Sequence, residues 1–107
     1  MIVVTTETVA GHRIRTTLGE VLGVTSVNVR AGITFAGSFG ASARDELPDL
    51  TQVLYATRRE AIARMVHEAV QRGANAVVGM RHDVGEVGEF REVCVYGTAV
   101  VIEPADA

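Results

Sequence analysis

One short segment, residues 73–81, constrains the fold of this chain more than any other. It reads Gly-Ala-Asn-Ala-Val-Val-Gly-Met-Arg. Gly73 follows a long stretch with helical periodicity and suits the left-handed conformation that commonly ends a helix. Val77 and Val78 come soon afterwards and favour a strand. A long helix and a buried strand are therefore expected to meet at this corner, with the rest of the chain packed around it.

Residues 48–72 carry the clearest helical pattern in the sequence. Pro48 is suited to the first turn of a helix, and Arg72 complements the helix dipole at the other end. The opposite face is polar and includes Arg58, Arg59 and His67. Apolar residues recur at the three- and four-residue spacing of an amphipathic helix: Leu50, Val53, Leu54, Ala61, Ile62, Met65, Val66, Ala69 and Val70.

Residues 12–29 alternate with a period of two, which predicts a long strand with one solvent-exposed face. One parity holds Ile14, Leu18, Leu22 and Val24, and the other holds Arg13, Arg15 and Thr17. Gly19 and Gly23 interrupt the alternation. They indicate either bulges and strand curvature, which we favour, or room for the close approach of another backbone.

Three further strands are predicted at residues 1–8, 74–84 and 91–103, with a turn at residues 85–90. In the second of these, the alternation places Ala76, Val78, Met80, His82 and Val84 on one face. The element order is β-β-α-β-β. It predicts an α+β fold, in which a mostly antiparallel sheet has one long helix packed across it. Residues 1–104 form a single domain in this interpretation, and residues 105–107 fray after Pro104.

Residues 30–45 are rich in glycine, alanine and serine and read as a loop. The spacing of Gly32, Gly37 and Gly40 matches neither a P-loop nor a dinucleotide-binding fingerprint. The loop also holds Phe35 and Phe39. We expect these two side chains to pack on a neighbouring subunit or another partner.

Composition and charge exclude several classes of protein. The net charge is −3 and no basic run is present, which argues against a nucleic-acid-binding module. No apolar run approaches the roughly 20 residues of a membrane span, so we expect no membrane association. A single cysteine fits a cytoplasmic protein. The hydrophobic content of 48% is high for 107 residues, which predicts a homo-oligomer that hides apolar surface between subunits.

His82 and Cys94 form the strongest candidate site. If the last hairpin is symmetric about Gly88, the two residues lie directly opposite each other, with Cβ atoms about 4.5–5.5 Å apart. Imidazole and thiolate are ligands for soft divalent metals such as zinc. Two ligands make an incomplete site, so a ring of subunits would have to supply the others. The competing interpretation is that Cys94 is a small buried hydrophobe and His82 a packed histidine.

Two other chemical interpretations are weaker. A Cys-His pair also suits a nucleophile and its base, but no orienting third residue or oxyanion hole is evident. The acidic residues Asp83, Glu86, Glu89 and Glu92 surround the predicted turn, where solvation explains them better than a hard cation does. An enzyme is therefore the least favoured class.

The chain resembles the YbjQ-like family of small proteins, whose label refers to heavy-metal binding. The resemblance is carried by Arg59 with Ala61 and Ile62, by residues 73–79, and by the Tyr-Gly-Thr-Ala-Val sequence of residues 96–100. It extends over nearly the whole chain. The segment from Gly40 to Pro48 departs from the Gly-Gly-Glu-like turn that the family leads us to expect.

The resemblance implies a dodecin-like subunit in a ring-shaped homo-oligomer, with a pentamer as the expected state, and it implies no defined reaction. Together with the residues, it predicts a non-enzymatic ring that binds a heavy metal or small ligand. The alternative is a structural or interaction scaffold without a ligand.

Overall fold

The computed structural model describes residues 1–28 and 48–106. Its elements are strand β1 (Ile2–Val3), strand β2 (His12–Asn28), helix α1 (Pro48–Gln71), strand β3 (Ala76–Val87) and strand β4 (Phe90–Pro104). The predicted loop, with Phe35 and Phe39, lies outside the described residues. Most predicted bounds agree with these elements to within a few residues. The exceptions are the first strand, which is only two residues long, and the last turn, which is confined to residues 88–89.

The four strands form one sheet in the order β1-β3-β4-β2. Strands β2 and β3 both pair antiparallel with β4, which is therefore central, and β1 pairs parallel with the start of β3. Helix α1 packs chiefly across β2 and β4. The predicted α+β class, with a mostly antiparallel sheet and one long helix across it, is confirmed.

The contact between α1 and the sheet buries the main core. Ala61, Met65 and Ala69 are fully buried and pack on inward-facing residues of the strands, including Val21 and Val95. This stripe is narrower than the sequence predicts, since Val70 is 56% exposed. The small side chains let the helix approach the sheet closely, as short residues at a contact permit.

Gly23 lies at the point of closest approach between β2 and α1. A Cβ atom at this position would overlap the carbonyl oxygen of Ala61 and lie 2.6 Å from the backbone nitrogen of Met65. Gly19, by contrast, has a φ of 104° and borders a register shift in β2. Both sequence interpretations therefore apply, one to each glycine: Gly19 marks irregularity in the strand, and Gly23 makes room for another backbone.

Among the described residues, only one end of the sheet face opposite α1 is covered. There Ala76, Val78, Val100 and Ile102 are buried beneath Val4 and Val9. The N-terminal segment remains bonded to β3 beyond β1, because the N–H of Gly79 donates to Thr6 O at 2.8 Å and that of Met80 donates to Val4 O at 3.1 Å. We call this end of the sheet, residues 76–78 of β3 and 98–102 of β4, the closed half. The other end, residues 81–87 of β3 and 90–96 of β4, is the open half.

The corner between α1 and β3 forms as the sequence predicts. Gly73 has a φ of 85°, and its N–H donates to Val70 O while the N–H of Ala74 donates to Ala69 O, the two bonds of a Schellman cap. Asn75 then joins β4 through its side chain: its Nδ2 donates to Ile102 O at 2.9 Å, and its Oδ1 accepts from Ile102 N at 2.7 Å. The side-chain amide of Asn75 thus makes the same pair of hydrogen bonds to Ile102 that the backbone of a paired strand residue would make, just before β3 begins.

A β-bulge interrupts β3 between Val78 and Arg81. It contains Gly79, whose φ of 64° suits a glycine. The extra residue reverses which face each later side chain occupies. The predicted common face for Val78 and His82 is therefore wrong, since Val78 lies on the face opposite α1 and His82 lies on the α1 side.

Side chains from α1 satisfy the outward-facing backbone groups of the β2 edge. Arg72 Nη1 donates to Glu20 O at 3.0 Å, Leu22 N donates to Glu68 Oε2 at 3.3 Å, and Arg64 Nη1 donates to Val24 O at 2.7 Å. These helix residues are four apart and their strand partners two apart, so the two periodicities match along the edge. This edge clamp of Arg64, Glu68 and Arg72 occupies groups that would otherwise pair with another strand.

Candidate functional site

The hairpin of β3 and β4 does not place His82 opposite Cys94. Its register pairs His82 with Val95, and Asp83 with Cys94. The predicted pairing is wrong by one residue because the turn has two residues, Gly88 and Glu89, so that the hairpin is symmetric about their midpoint rather than about Gly88. A shift of one residue moves a side chain to the other face of a sheet. His82 and Cys94 therefore lie on opposite faces, and one hairpin cannot bring both to the same metal.

Cys94 lies on the open half of the sheet, on the face away from α1. Its cross-strand neighbours are Val24 and Asp83. Burial and, after it, the negative charges of Glu92 and Asp83 raise the pKa of the Cys94 thiol. The thiol is thus held protonated at neutral pH, whereas a thiolate is the form that binds soft metals.

Apolar side chains of β2 and β4 also lie beside Cys94 on this face, next to the carboxylates of Asp83 and Glu92. Leu22 is 43% exposed and Val24 is 38% exposed, and they pair across the strands with Tyr96 and Cys94 respectively. We call these four residues the open-face patch. The sequence pattern identified Leu22 and Val24 as one side of β2, but the core lies beneath the other side, where Val21 and Thr25 are buried.

His82 lies in a cavity of about 240 Å³ between α1 and β3. The other lining residues, all from the helix, are Tyr55, Arg58, Arg59 and Ile62. The phenol oxygen of Tyr55 is 2.9 Å from Arg59 Nη2, and the guanidinium carbon of Arg59 is 5.1 Å from the Tyr55 ring centre. We call this cavity, with its five lining residues, the arginine pocket.

The sequence carries a signal for the arginine pocket that is separate from the pattern of soft metal ligands. Tyr55, Arg59 and Ile62 recur at helical spacing, and Arg58 is the neighbour of Arg59, so these side chains are close together on α1. The helical pattern places Arg58 and Arg59 on a polar face, but it does not show that they lie close to His82. That proximity depends on the bulge at Gly79, which turns His82 toward the helix.

A second cleft of about 470 Å³ lies on the β2 side of α1. Its lining is Thr25, Ser26, Val53, Ala56, Thr57, Glu60 and Arg64. The buried hydroxyl of Thr25 donates to Thr57 O at 3.0 Å, and Arg64 pairs with Glu60 at 3.3 Å. The polar groups here bond mainly to one another, so this cleft offers a ligand fewer free partners than the arginine pocket does.

A metal centre is not evident within the described residues. In residues 1–28 and 48–106, no group of three or more His, Cys, Asp or Glu side chains is arranged to hold a metal ion. Nor does α1, or any other helix in that part of the chain, combine the length and the hydropathy needed to cross a membrane.

The fold and the exposed sites define a small α+β domain with one helix on a four-stranded sheet. A solved structure of a protein of unknown function from Pediococcus pentosaceus, assigned to the DUF74 family, has this fold: the TM-score is 0.63 at 19% identity, with 96% of this chain and 98% of that chain covered. The family model described as "Putative heavy-metal-binding" matches residues 1–103. The chain therefore belongs to the YbjQ family, which confirms the resemblance seen in its motifs.

Relatives of similar length support this assignment. A UPF0145 protein of Mycobacteroides abscessus is 46% identical over 105 residues, which cover 97% of this chain and 98% of the relative. A UPF0145 protein of Bradyrhizobium is 45% identical over 106 residues, covering 98% and 96% respectively. The similarity extends over the whole described domain rather than one motif.

Proposed function

We propose that this protein is a non-enzymatic, cytoplasmic homo-oligomer that binds a ligand between its subunits. The observation that carries this proposal is the open-face patch. Leu22 and Val24 expose about two fifths of their surface on the same face of the sheet that the N-terminal segment covers at the closed half. Contiguous apolar surface of this kind marks interaction sites, and a second copy of the chain is the partner we propose.

The edge clamp supports assembly through the face of the sheet rather than through strand addition at β2. The outward groups of Glu20, Leu22 and Val24 already bond to α1. A contact between two different surfaces of successive subunits closes into a ring when the rotation permits it. A ring of five subunits is the form we propose, on the basis of the family resemblance.

The proposed ligand is a soft divalent metal such as zinc, held by Cys94 thiolates from more than one subunit. This arrangement follows from the register, because His82 lies on the opposite face and a single hairpin offers only one soft ligand there. Binding would require loss of the thiol proton, which the neighbouring carboxylates oppose until a cation offsets their charge. The charge of −3 and the absence of a basic run in the sequence support a role without nucleic acid.

Assembly is tested by measuring the native mass of the wild-type protein and of Leu22→Asp. We expect the wild type to be a multiple of the 11.4 kDa chain and the variant to dissociate, because an aspartate in the patch would be buried without a partner. Val70→Asp is the matched control: Val70 is also apolar and exposed, but lies on α1. A monomeric wild type at micromolar concentration would contradict the proposal.

Metal binding is tested by zinc titration and metal analysis of the same preparations. Cys94→Ser should abolish uptake, whereas His82→Ala should leave it unchanged because the imidazole is on the other face. An intact oligomer that takes up no zinc or copper would favour the scaffold without a ligand. Loss of uptake in His82→Ala alone would instead place the site in the arginine pocket.

A further inference from the structure

We infer that the arginine pocket binds a small organic oxyanion, a carboxylate or a phosphate monoester with a compact apolar part. The pocket combines three groups able to donate hydrogen bonds to an anion, from Arg58, Arg59 and His82, with the aliphatic side chain of Ile62. None of its five lining residues carries a carboxylate. An anion therefore meets donors and a hydrophobic wall, with no negative group to repel it.

The two arginines of the pocket differ from most other arginines of the described chain. Arg13, Arg64, Arg72, Arg81 and Arg91 each form an ion pair with a glutamate. No ion pair recorded for residues 1–28 and 48–106 involves Arg58 or Arg59. Within those residues no carboxylate neutralises either charge, in a protein whose net charge is −3.

Arg59 is already held in position for binding. Its guanidinium donates to the Tyr55 hydroxyl at 2.9 Å and lies 5.1 Å from the centre of that ring. A guanidinium stacked on an aromatic ring loses less freedom when it binds an oxyanion, and its planar fork suits two oxygens of a carboxylate or phosphate. Arg58 precedes it on α1, and His82 approaches from β3, so the donors converge from two elements.

The size of the pocket limits the ligand. A volume of about 240 Å³ is below the roughly 300–1,000 Å³ typical of small-molecule sites, which suits a small metabolite rather than a nucleotide. The same charges disfavour a metal: two guanidinium groups beside His82 repel a divalent cation. His82 is thus better suited to donate to an anion than to ligate zinc.

This site is independent of the proposed function. It lies on the α1 side of the sheet and shares no residue with the open-face patch. Native mass and zinc uptake therefore test one proposal, and anion binding tests the other.

The test is a titration of the native protein with phenyl phosphate, benzoate and inorganic phosphate. Binding is measured from backbone and imidazole NMR shifts and by calorimetry. We expect saturable shifts at His82 and residues 55–62 with phenyl phosphate or benzoate, and weaker binding of inorganic phosphate, which lacks the apolar part. Benzyl alcohol, which has the ring without the charge, should not saturate the site.

Arg58→Ala and Arg59→Ala should each weaken binding about ten-fold, the loss expected for one charge-assisted hydrogen bond. Arg15→Ala is the control, since Arg15 is an exposed arginine on β2 outside the pocket, and its affinity should equal that of the wild type. All of these side chains are exposed, and circular dichroism checks that each variant is folded. The inference is overturned if none of the three anions gives saturable shifts. It is also overturned if Arg15→Ala and Arg58→Ala lose the same amount of binding affinity.

Discussion

The two halves of β3 contrast in environment even where they carry the same type of side chain. Ala76, Val77 and Val78 in the closed half are at most 4% exposed, whereas every residue from Arg81 to Phe90 is exposed. Val78 and Val84 are the same residue type on one strand, at 4% and 47% exposure. The two residues also lie on opposite faces, since Val84 pairs with Val93 of the α1-facing core. Of the described segments, the N-terminal one covers Val78 in the closed half, whereas α1 packs mainly over β2 and β4 and leaves Val84 exposed in the open half.

This comparison shows that burial in a small sheet is set by its covering layers rather than by the strand itself. The outer face of the open half retains Val87 and Phe90, and the neighbouring part of β2 retains Leu22 and Val24, although no described segment covers them. Exposed apolar residues on the face of a sheet fit a surface that another subunit covers. The protected edge of β2 agrees with this, because an unprotected edge would promote uncontrolled strand pairing.

The largest expected effect comes from breaking the contact between sheet and helix at Gly23. Gly23→Ala places a Cβ atom against the backbone of Ala61 and Met65, so α1 must move away from the core. We expect a loss of about 3 kcal/mol or more, at the upper end of overpacking effects, measured by urea unfolding. Gly85→Ala is the control in the open half, where an added Cβ has no neighbour within 4 Å. Equal stabilities of the two variants would contradict the close approach.

Val78→Ala and Val84→Ala compare the two halves, with Val78 on the face opposite α1 and Val84 on the α1 side. Val78→Ala removes two buried carbon atoms, and we expect a loss of about 2 kcal/mol in the free energy of unfolding, from about 0.8 kcal/mol per methylene plus a cavity term. Val84→Ala should change stability by less than about 0.5 kcal/mol, as surface substitutions do. Urea unfolding of both variants measures the difference. A large loss for Val84→Ala would show that the α1 side of the open half is covered in the native protein.

The edge clamp is tested by Glu68→Ala. This change removes the acceptor for Leu22 N–H and the ion-pair partner of Arg72. We expect a loss of about 1 kcal/mol, the net value of a typical hydrogen bond, together with faster aggregation as β2 gains a free edge group. Light scattering follows the aggregation. His67→Ala, an exposed neighbour on α1, should not aggregate faster than the wild type; if it does, the clamp is not the cause.

The smallest expected effect concerns the ionisation of Cys94. Burial, Glu92 and Asp83 raise the pKa of this thiol, so the folded protein favours the protonated form. Its contribution to stability is complete below the ordinary thiol pKa of 9.0 and is lost as pH rises through the higher pKa of the folded state. Glu92→Gln should lower the pKa and speed alkylation by iodoacetamide at pH 8, while Glu60→Gln on α1 should not. An unchanged pH profile in Glu92→Gln would exclude the proposed electrostatic cause.

The sequence predicted the elements well because each has a local physical signal. The spacing of Ala61, Met65 and Ala69 indicates a helix, and Gly73 supplies the residue that the Schellman cap requires. The site could not be predicted in the same way. Whether His82 meets Cys94 or Arg58 depends on one bulge and one two-residue turn, and a single-residue change in register reverses the face of every later side chain.

The sequence by itself determined the α+β order, the long helix and its end at Gly73, because propensity, capping and periodicity act over a few neighbouring residues. Only the tertiary structure decided which faces are covered, that Gly23 admits the helix backbone, and that His82 turns away from Cys94 toward the arginines. Those outcomes depend on contacts between segments far apart in the chain, for which a local pattern holds no information.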